Sequence, residues 1–158
     1  MPFFLPPLAA VFTAATLSAA PRLVYDVPLQ WVRVASDGDA ETYETSFDRA
    51  QRLVVAIRSV DTGDRTAEEW ALAEAERMRR QTSRKLGKPL EEDFGETHWV
   101  YLDWADPELG ERGRDYYLEG EGASLAEVSI FAQDEVFRRA DASKFDGFLA
   151  SFRFEDKA

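Results

Sequence analysis

The sequence predicts an α+β fold: a central antiparallel β-sheet of about five to seven strands, sandwiched by helices. Two observations lead to this fold class. Apolar residues alternate along several runs that end at short polar or glycine-rich turns, as they do in half-buried strands. One long segment and one short segment instead show the three- and four-residue spacing of an amphipathic helix.

The clearest pair of strands lies towards the C-terminus. Arg114–Glu119 and Leu125–Ala132 flank Gly120-Glu121-Gly122, whose glycines permit positive φ in a tight turn. One face of the second strand is apolar and should meet the core: Ala126, Val128, Ile130 and Ala132. The opposite face is mixed, so we expect it to be partly covered: Leu125, Glu127, Ser129 and Phe131.

Further strands are predicted before this hairpin. Four segments have a β-like pattern: Leu23–Val27, Trp31–Val34, Thr42–Asp48 and Thr97–Trp104. A fifth, Arg52–Val60, is largely apolar on both faces, which indicates a central strand that is covered on both sides.

The long helix is predicted over residues 66–82. Thr66 and Glu69 have the spacing of a capping box. An apolar stripe follows at helical spacing: Ala67, Trp70, Ala71, Ala75 and Met78. Arginines gather towards the other end, where they complement the helix dipole or, alternatively, form an anion site: Arg77, Arg79, Arg80 and Arg84.

A short helix is predicted to close the fold over residues 142–150. Asp141 or Ser143 can cap its N-terminus. Phe145, Phe148 and Leu149 fall on one helical stripe, and we expect these side chains to pack in the core. Phe152 and Phe154 should fold the chain end back onto the same core.

Composition limits the class of protein. A chain of 158 residues suits one domain, predicted here as residues 21–158. Because there is no Cys, disulfides, thiolate metal sites and a Cys nucleophile are excluded. The net charge of −11 argues against nucleic acid and anionic membrane surfaces as partners, since both attract positive charge.

The first 20 residues resemble a secretory signal peptide. They hold no charged side chain and end in small residues, with Ser18 and Ala20 in cleavage-site positions. Pro21 would follow a cut after Ala20, so a cut elsewhere or an uncleaved anchor remains an alternative. The leader predicts a periplasmic or secreted protein whose mature chain has no stable membrane span.

No catalytic motif is present, and we predict no catalytic, cofactor-binding or metal-binding residue. His98 is the single histidine, and no serine stands in a G-x-S-x-G pattern. The two glycine-rich patterns that bind the phosphates of nucleotides, G-x-x-x-x-G-K-[ST] and G-x-G-x-x-G, do not occur. We therefore expect His98 to have a structural or surface role.

Two acidic groups could hold Ca²⁺ or perform glycosidase chemistry: Asp103 with Asp106 and Glu108, and Asp61 with Asp64. Neither group has the spacing of an EF-hand, and acidic residues are abundant throughout the chain. We expect both groups to be loop residues.

Four aromatic residues raise a further possibility: Trp99, Tyr101, Tyr116 and Tyr117. On an open sheet face they would stack on sugars or hold an apolar partner. Under a helix they would be core, and the two predicted helices favour that interpretation.

The order of elements resembles the PsbP-like superfamily, which includes DcrB-type periplasmic proteins and a nuclear transport factor that binds Ran. The resemblance spans Leu23 to Phe154 and rests on Pro28-x-x-Trp31, the 66–82 helix, Phe145, Phe148 and Ser151-Phe152. It implies an antiparallel sheet between helices and a role in binding or assembly without catalysis. DcrB-type members are often lipoproteins, and the absence of Cys departs from that pattern.

The sequence therefore predicts an exported, non-enzymatic binding or assembly module whose partner is another protein. A cytosolic, acidic, chaperone-like dimer is the main alternative, because such chaperones have a similar size and charge. A small hydrolase is a third alternative, and it would need a pocket in which polar groups converge.

Overall fold

The fold was determined as a computed structural model that describes residues 21–38, 40–48 and 51–155. The predicted leader, residues 1–20, lies outside the described residues. The strands are β1 (Arg22–Val24), β2 (Val32–Asp37), β3 (Ala40–Asp48), β4 (Gln51–Asp61), β5 (Lys85–Leu86), β6 (Leu90–Phe94), β7 (Thr97–Asp106), β8 (Glu111–Glu119), β9 (Ser124–Gln133) and β10 (Arg153–Glu155). The helices are α1 (Ala67–Gln81), α2 (Asp134–Arg139) and α3 (Asp146–Ala150), and a 3₁₀ turn, Ala142–Phe145, precedes α3.

Eight strands form one antiparallel sheet in the order β2-β3-β4-β9-β8-β7-β5, with β6 also paired to β7. Strands β5 and β6 share the outer edge of β7, because β5 pairs near Trp104 and β6 pairs from Tyr101 to Thr97. Strands β1 and β10 form a separate two-stranded ribbon. The predicted antiparallel sheet is confirmed, but it has more strands than the sequence indicated.

Helix α1 packs on one face of the sheet, which we call the α1 face. Its buried stripe, Ala67, Ala71, Ala75 and Met78, meets side chains of β7, β8 and β9. Small residues predominate in this stripe, so the helix can approach the strands closely. Thr66 caps the helix, and its hydroxyl and backbone N–H both bond with Glu69, which confirms the predicted capping box.

The opposite face, which we call the aromatic face, carries the larger core. Leu53, Val55 and Ile57 of β4 lie beside the apolar face of β9, as the alternation predicted. The 3₁₀ turn and α3 add Phe145, Phe148 and Leu149 to this core. Asp141 accepts a hydrogen bond from the Ser143 N–H, which confirms the predicted cap.

Helices do not cover the sheet as fully as predicted, so the sandwich of helices is not confirmed. Helix α1 lies over β7 and β8, while Val54 and Ala56 of β4 remain partly exposed on the same face. The prediction that β4 is covered on both sides was therefore wrong. At the sheet edge, Val32 and Val34 of β2 are 62% and 50% exposed.

Several elements differ from the sequence-based expectation. The predicted strand Leu23–Val27 is shortened to β1, which pairs with β10 rather than with the main sheet. Strands β5 and β6 and helix α2 were not predicted. Strand β6 reads Leu-Glu-Glu-Asp-Phe, and its three acids hide the β pattern. Pairing with β7 stabilises it in spite of this weak propensity.

The two glycines of the C-terminal hairpin serve different purposes. Gly122 adopts φ = 68°, a conformation that favours glycine. Gly120 does not have positive φ. It is required for space, because a Cβ added at position 120 would lie 2.7 Å from the ring of Phe154. The prediction of positive φ was right for Gly122 and wrong for Gly120.

Gly113 offers a test of the packing on the α1 face. An added Cβ would lie 2.4 Å from the Trp104 ring and 2.7 Å from the Cβ of Phe131. We expect Gly113→Ala to lower the free energy of unfolding by about 1–3 kcal/mol, because overpacking moves a buried ring. Urea denaturation monitored by Trp fluorescence measures the change.

Gly147→Ala is the matched control. Gly147 lies in α3, and an added Cβ there meets nothing within 4 Å. We expect Gly147→Ala to leave the free energy of unfolding undiminished and to raise it by up to about 1 kcal/mol, because alanine has the higher helix propensity. A Gly113→Ala variant as stable as the Gly147→Ala variant would contradict the described packing of Trp104.

Candidate binding cleft

Strands β7 and β8 separate at one end of the sheet. Their pairing runs from Asp106 with Glu111 to Val100 with Tyr117 and stops there. Both strands continue, because β7 still pairs with β6 as far as Thr97 and β8 still pairs with β9 as far as Glu119. The next two pairs in this register, Trp99 with Leu118 and His98 with Glu119, are not formed. We call the space between these two strand ends the β7–β8 cleft.

The cleft is an open cavity of about 500 Å³. The start of α1 lies on one side of it, and the chain entering β10 lies on the other. Its lining comes from five parts of the fold: Thr66, Ala67 and Glu68; Glu91 and Glu96; Thr97, His98 and Val100; Leu118 and Glu119; and Phe152, Arg153 and Phe154. The cavity has the size of a ligand pocket and the exposure of a groove.

The interior of the cleft is apolar. Val100 and Leu118 are 4% and 8% exposed, and they lie on the two separated strands. Phe152 is buried beside them, with its ring centroid 5.1 Å from Trp99 and 4.9 Å from Tyr25. These aromatic contacts fix the apolar floor, because each ring is held by neighbours on more than one side.

The α1 side of the cleft is fixed by Glu119. Its carboxylate accepts a hydrogen bond from the backbone N–H of Ala67, the first residue of the helix. An acid at this position satisfies an N–H that has no partner within the helix and complements the helix dipole. Glu119 therefore ties the end of β8 to α1 while its own strand end remains apart from β7.

The rim is acidic. Four lining residues are glutamates, Glu68, Glu91, Glu96 and Glu119, whereas the basic lining residues are Arg153 and His98. Arg153 donates to Glu155 and to the carbonyl oxygen of Ser151. Acids thus determine the charge at the cleft mouth, in keeping with the net charge of the chain.

His98 is held between two acids of β6. Its Nδ1 bonds with Asp93, and its Nε2 lies 3.2 Å from Glu91. The hydrogen bond with Asp93 and the one with Glu91 raise the pKa of His98 above its usual value. The structure agrees with the predicted surface role, because the ring is 58% exposed.

The predicted acidic loop is not assembled as a site. Asp103 pairs with Arg114, whose guanidinium lies over the Tyr101 ring. Asp106 accepts bonds from the Ser83 hydroxyl and from the N–H of Glu108, so it closes the loop after β7. Within the described residues, no group of three or more His, Asp or Glu side chains is arranged to hold a metal ion.

The remaining polar candidates also have local roles. Asp61 accepts a bond from the Gly63 N–H and closes a turn, and Asp64 is exposed in the same turn. Arg77 and Arg80 pair with acids of their own helix, Glu74 and Glu76. Arg84 instead lies over the Trp104 ring. These arginines point to separate partners, and Arg79 and Arg80 occupy the last helical turn as the dipole interpretation predicted.

The four aromatic candidates do not share an open face. Trp99 and Tyr116 belong to the aromatic-face core, with Tyr101 packed at its edge. Tyr117 is buried on the α1 face. The interpretation of these residues as core was therefore correct, and an open stacking surface is not formed by them.

The α1 face holds a buried carboxylate that was not predicted from the sequence, Asp115, and a partly buried one, Glu127. Asp115 is 6% exposed and accepts hydrogen bonds from the Trp104 indole and the Ser129 hydroxyl. Burial raises the pKa of Asp115, and burial likewise raises that of Glu127, which pairs with Arg58. Alternation alone could place Asp115 and Glu127 on this face, but their burial depends on where α1 packs.

Comparisons with known proteins bear on the fold alone. No protein-family model matches the chain, and no curated protein matches its sequence. Among solved structures, the fold is similar to that of LpqN, a protein involved in cell envelope biogenesis of Mycobacterium tuberculosis, with a TM-score of 0.64. The match covers 87% of this chain and 85% of LpqN at 11% sequence identity. Among the described residues, no helix combines the length and the apolar character needed to cross a membrane.

The environment of His98 predicts a pH dependence. Because its pKa is raised by Asp93 and Glu91, protonated His98 stabilises the fold. That contribution is fully present below the unfolded-state pKa of about 6.5 and is lost as pH rises through the folded-state pKa. We expect His98→Gln to destabilise the protein more at about pH 5.5 than at about pH 8.5.

Urea denaturation of the unaltered protein and of the His98→Gln variant at the two pH values measures the loss in free energy of unfolding at each pH. His98→Gln keeps a polar side chain of similar reach and removes only the titration. An equal effect at both pH values, or a larger effect at the higher one, would show that the charge of His98 does not contribute.

Proposed function

We propose that this chain is an exported, non-enzymatic module of PsbP- and DcrB-like type that binds or assembles another protein in the cell envelope. The observation that carries the proposal is the β7–β8 cleft. It combines an apolar floor, a charged rim and separated strand ends, which are the features of a recognition groove.

Three further observations support an envelope role. Residues 1–20 have the composition of an export signal. The likeness in fold to LpqN is consistent with such a setting, because that protein is involved in cell envelope biogenesis. The sequence resemblance to periplasmic DcrB-type proteins agrees with the same compartment.

The polar groups of the cleft favour binding over hydrolysis. His98 is engaged by Asp93 and Glu91, which favour its protonated form over a neutral general base. The hydroxyl of Thr97 contacts the Phe94 and Leu149 carbonyl oxygens and also accepts from the Trp99 indole. A hydroxyl engaged in this way is not oriented by a base as a nucleophile would be.

Site-specific photocrosslinking in cells, combined with fractionation, tests the proposal. A photoreactive amino acid at Glu96, on the cleft rim, should crosslink a second protein in the envelope or extracellular fraction. The same group at Glu135, an exposed position outside the cleft lining, serves as the matched control. We expect a discrete crosslinked product from position 96 and none from position 135, because only the first probe reaches a ligand in the cleft.

Two results would contradict the proposal. Cytosolic protein that still carries residues 1–20 would favour the chaperone-like alternative. A hydrolytic activity of the purified protein that disappears in His98→Ala would favour the hydrolase.

A further inference from the structure

We infer that the β7–β8 cleft receives an extended segment of a partner protein in which Lys or Arg residues flank an apolar side chain. The inference rests on the proposed function and specifies what kind of partner the cleft fits. Three features of the cleft lead to it: the backbone of its walls, the nature of its floor and the charge of its rim.

The backbone of the walls favours an extended ligand. In an antiparallel pair, the partner of His98 would be Glu119, by continuation of the register from Val100 with Tyr117. That pair is absent, although both residues lie in β-strands. Two strand ends that face a gap can exchange main-chain hydrogen bonds with an added segment, as in β-strand addition.

The floor favours an apolar side chain at the centre of that segment. Val100, on the α1 face, and Leu118, on the aromatic face, line the two walls, and Phe152 lies with Leu118 in the aromatic-face core. Burial of one Leu or Phe side chain here would contribute about 1.5–3 kcal/mol from the area removed from water.

The rim favours positive charge on either side of this anchor. Glu91 and Glu96 are exposed and belong to β6 and the β6–β7 turn, while Glu68 lies across the cleft on α1. Arg153 and His98 both contact acids, so they offset rather than reverse this charge. A basic segment complements the rim, and the net charge of −11 would speed its approach.

The test uses a defined peptide, acetyl-Lys-Leu-Lys-Phe-Lys-Leu-Lys-amide, and the protein purified in the form that cells produce after export. Isothermal titration calorimetry at physiological salt gives Kd for the unaltered protein and for two double variants. The cleft variant is Glu91→Gln with Glu96→Gln. The control variant is Glu108→Gln with Glu135→Gln, two exposed acids outside the cleft lining.

Both variants remove two negative charges, so general attraction changes equally. We expect Kd to rise about three- to tenfold in the cleft variant, because that is roughly the effect of losing two exposed ion pairs. In the control variant we expect Kd to rise less than about twofold. Two peptide controls complete the design. Replacing Leu and Phe with Ser, or N-methylating alternate backbone amides, should each weaken binding by at least about tenfold, through the lost anchor or lost main-chain bonds.

An equal loss of peptide affinity in the cleft variant and the control variant would overturn the inference, because it would show unspecific attraction to an acidic surface. Undiminished binding of the N-methylated peptide would overturn it as well. Direct binding of dodecylammonium together with no binding of the peptide would overturn the inference and assign the cleft to a small cationic amphiphile instead. A photocrosslinked partner in the envelope that meets the protein away from the cleft would refute this inference and leave the exported binding role intact.

Discussion

The packing of the C-terminal segment against β7 and the turn after β8 is the contact around which the cleft is built. Phe152 packs edge-on against Trp99 of β7, with ring centroids 5.1 Å apart. Two residues later, the Phe154 ring occupies the space that a side chain at position 120 would need. Strand β10, which contains Phe154 and directly follows Phe152, is itself paired with β1, and this pairing fixes the position of the segment. One short segment thus contacts β7 and the turn that follows β8.

The two faces of the sheet meet at this end of the molecule. Phe152 belongs to the aromatic-face core, whereas Val100 and the start of α1 belong to the α1-face core. Glu119 links β8 to α1 on the α1 face, because its carboxylate accepts a bond from the first N–H of the helix. The cleft is consequently built on strands and a capped helix, which position side chains more firmly than loops do.

The parts of the fold that could be predicted from sequence are those set by local pattern. Alternation in β9 and the capping box at Thr66 depend on neighbouring residues, and both are present. Strand β6 was missed because Glu91, Glu92 and Asp93 carry no β signal, and pairing with β7 makes it a strand. The cleft was missed for a related reason: the run Thr97–Trp104 looks uniform, and its alternation does not show where pairing with β8 stops or that the distant residues Phe152 and Phe154 line the gap. His98 and Asp103 were singled out by residue type, and the structure assigns them contacts with acids and with an arginine.

Residue-resolved amide hydrogen exchange across β7 and β8 in the free protein measures whether the two strands are separated at the cleft. Leu102 with Asp115 and Val100 with Tyr117 are paired, whereas Trp99 with Leu118 and His98 with Glu119, which would follow in the same register, are not. We expect strong protection at Leu102 and Asp115, because their amides lie in the paired centre of the sheet. We expect weak protection at His98 and Glu119, whose strand ends face an open cleft. Protection at His98 and Glu119 equal to that of the central pairs would show instead that the two strands are joined and the cleft is closed.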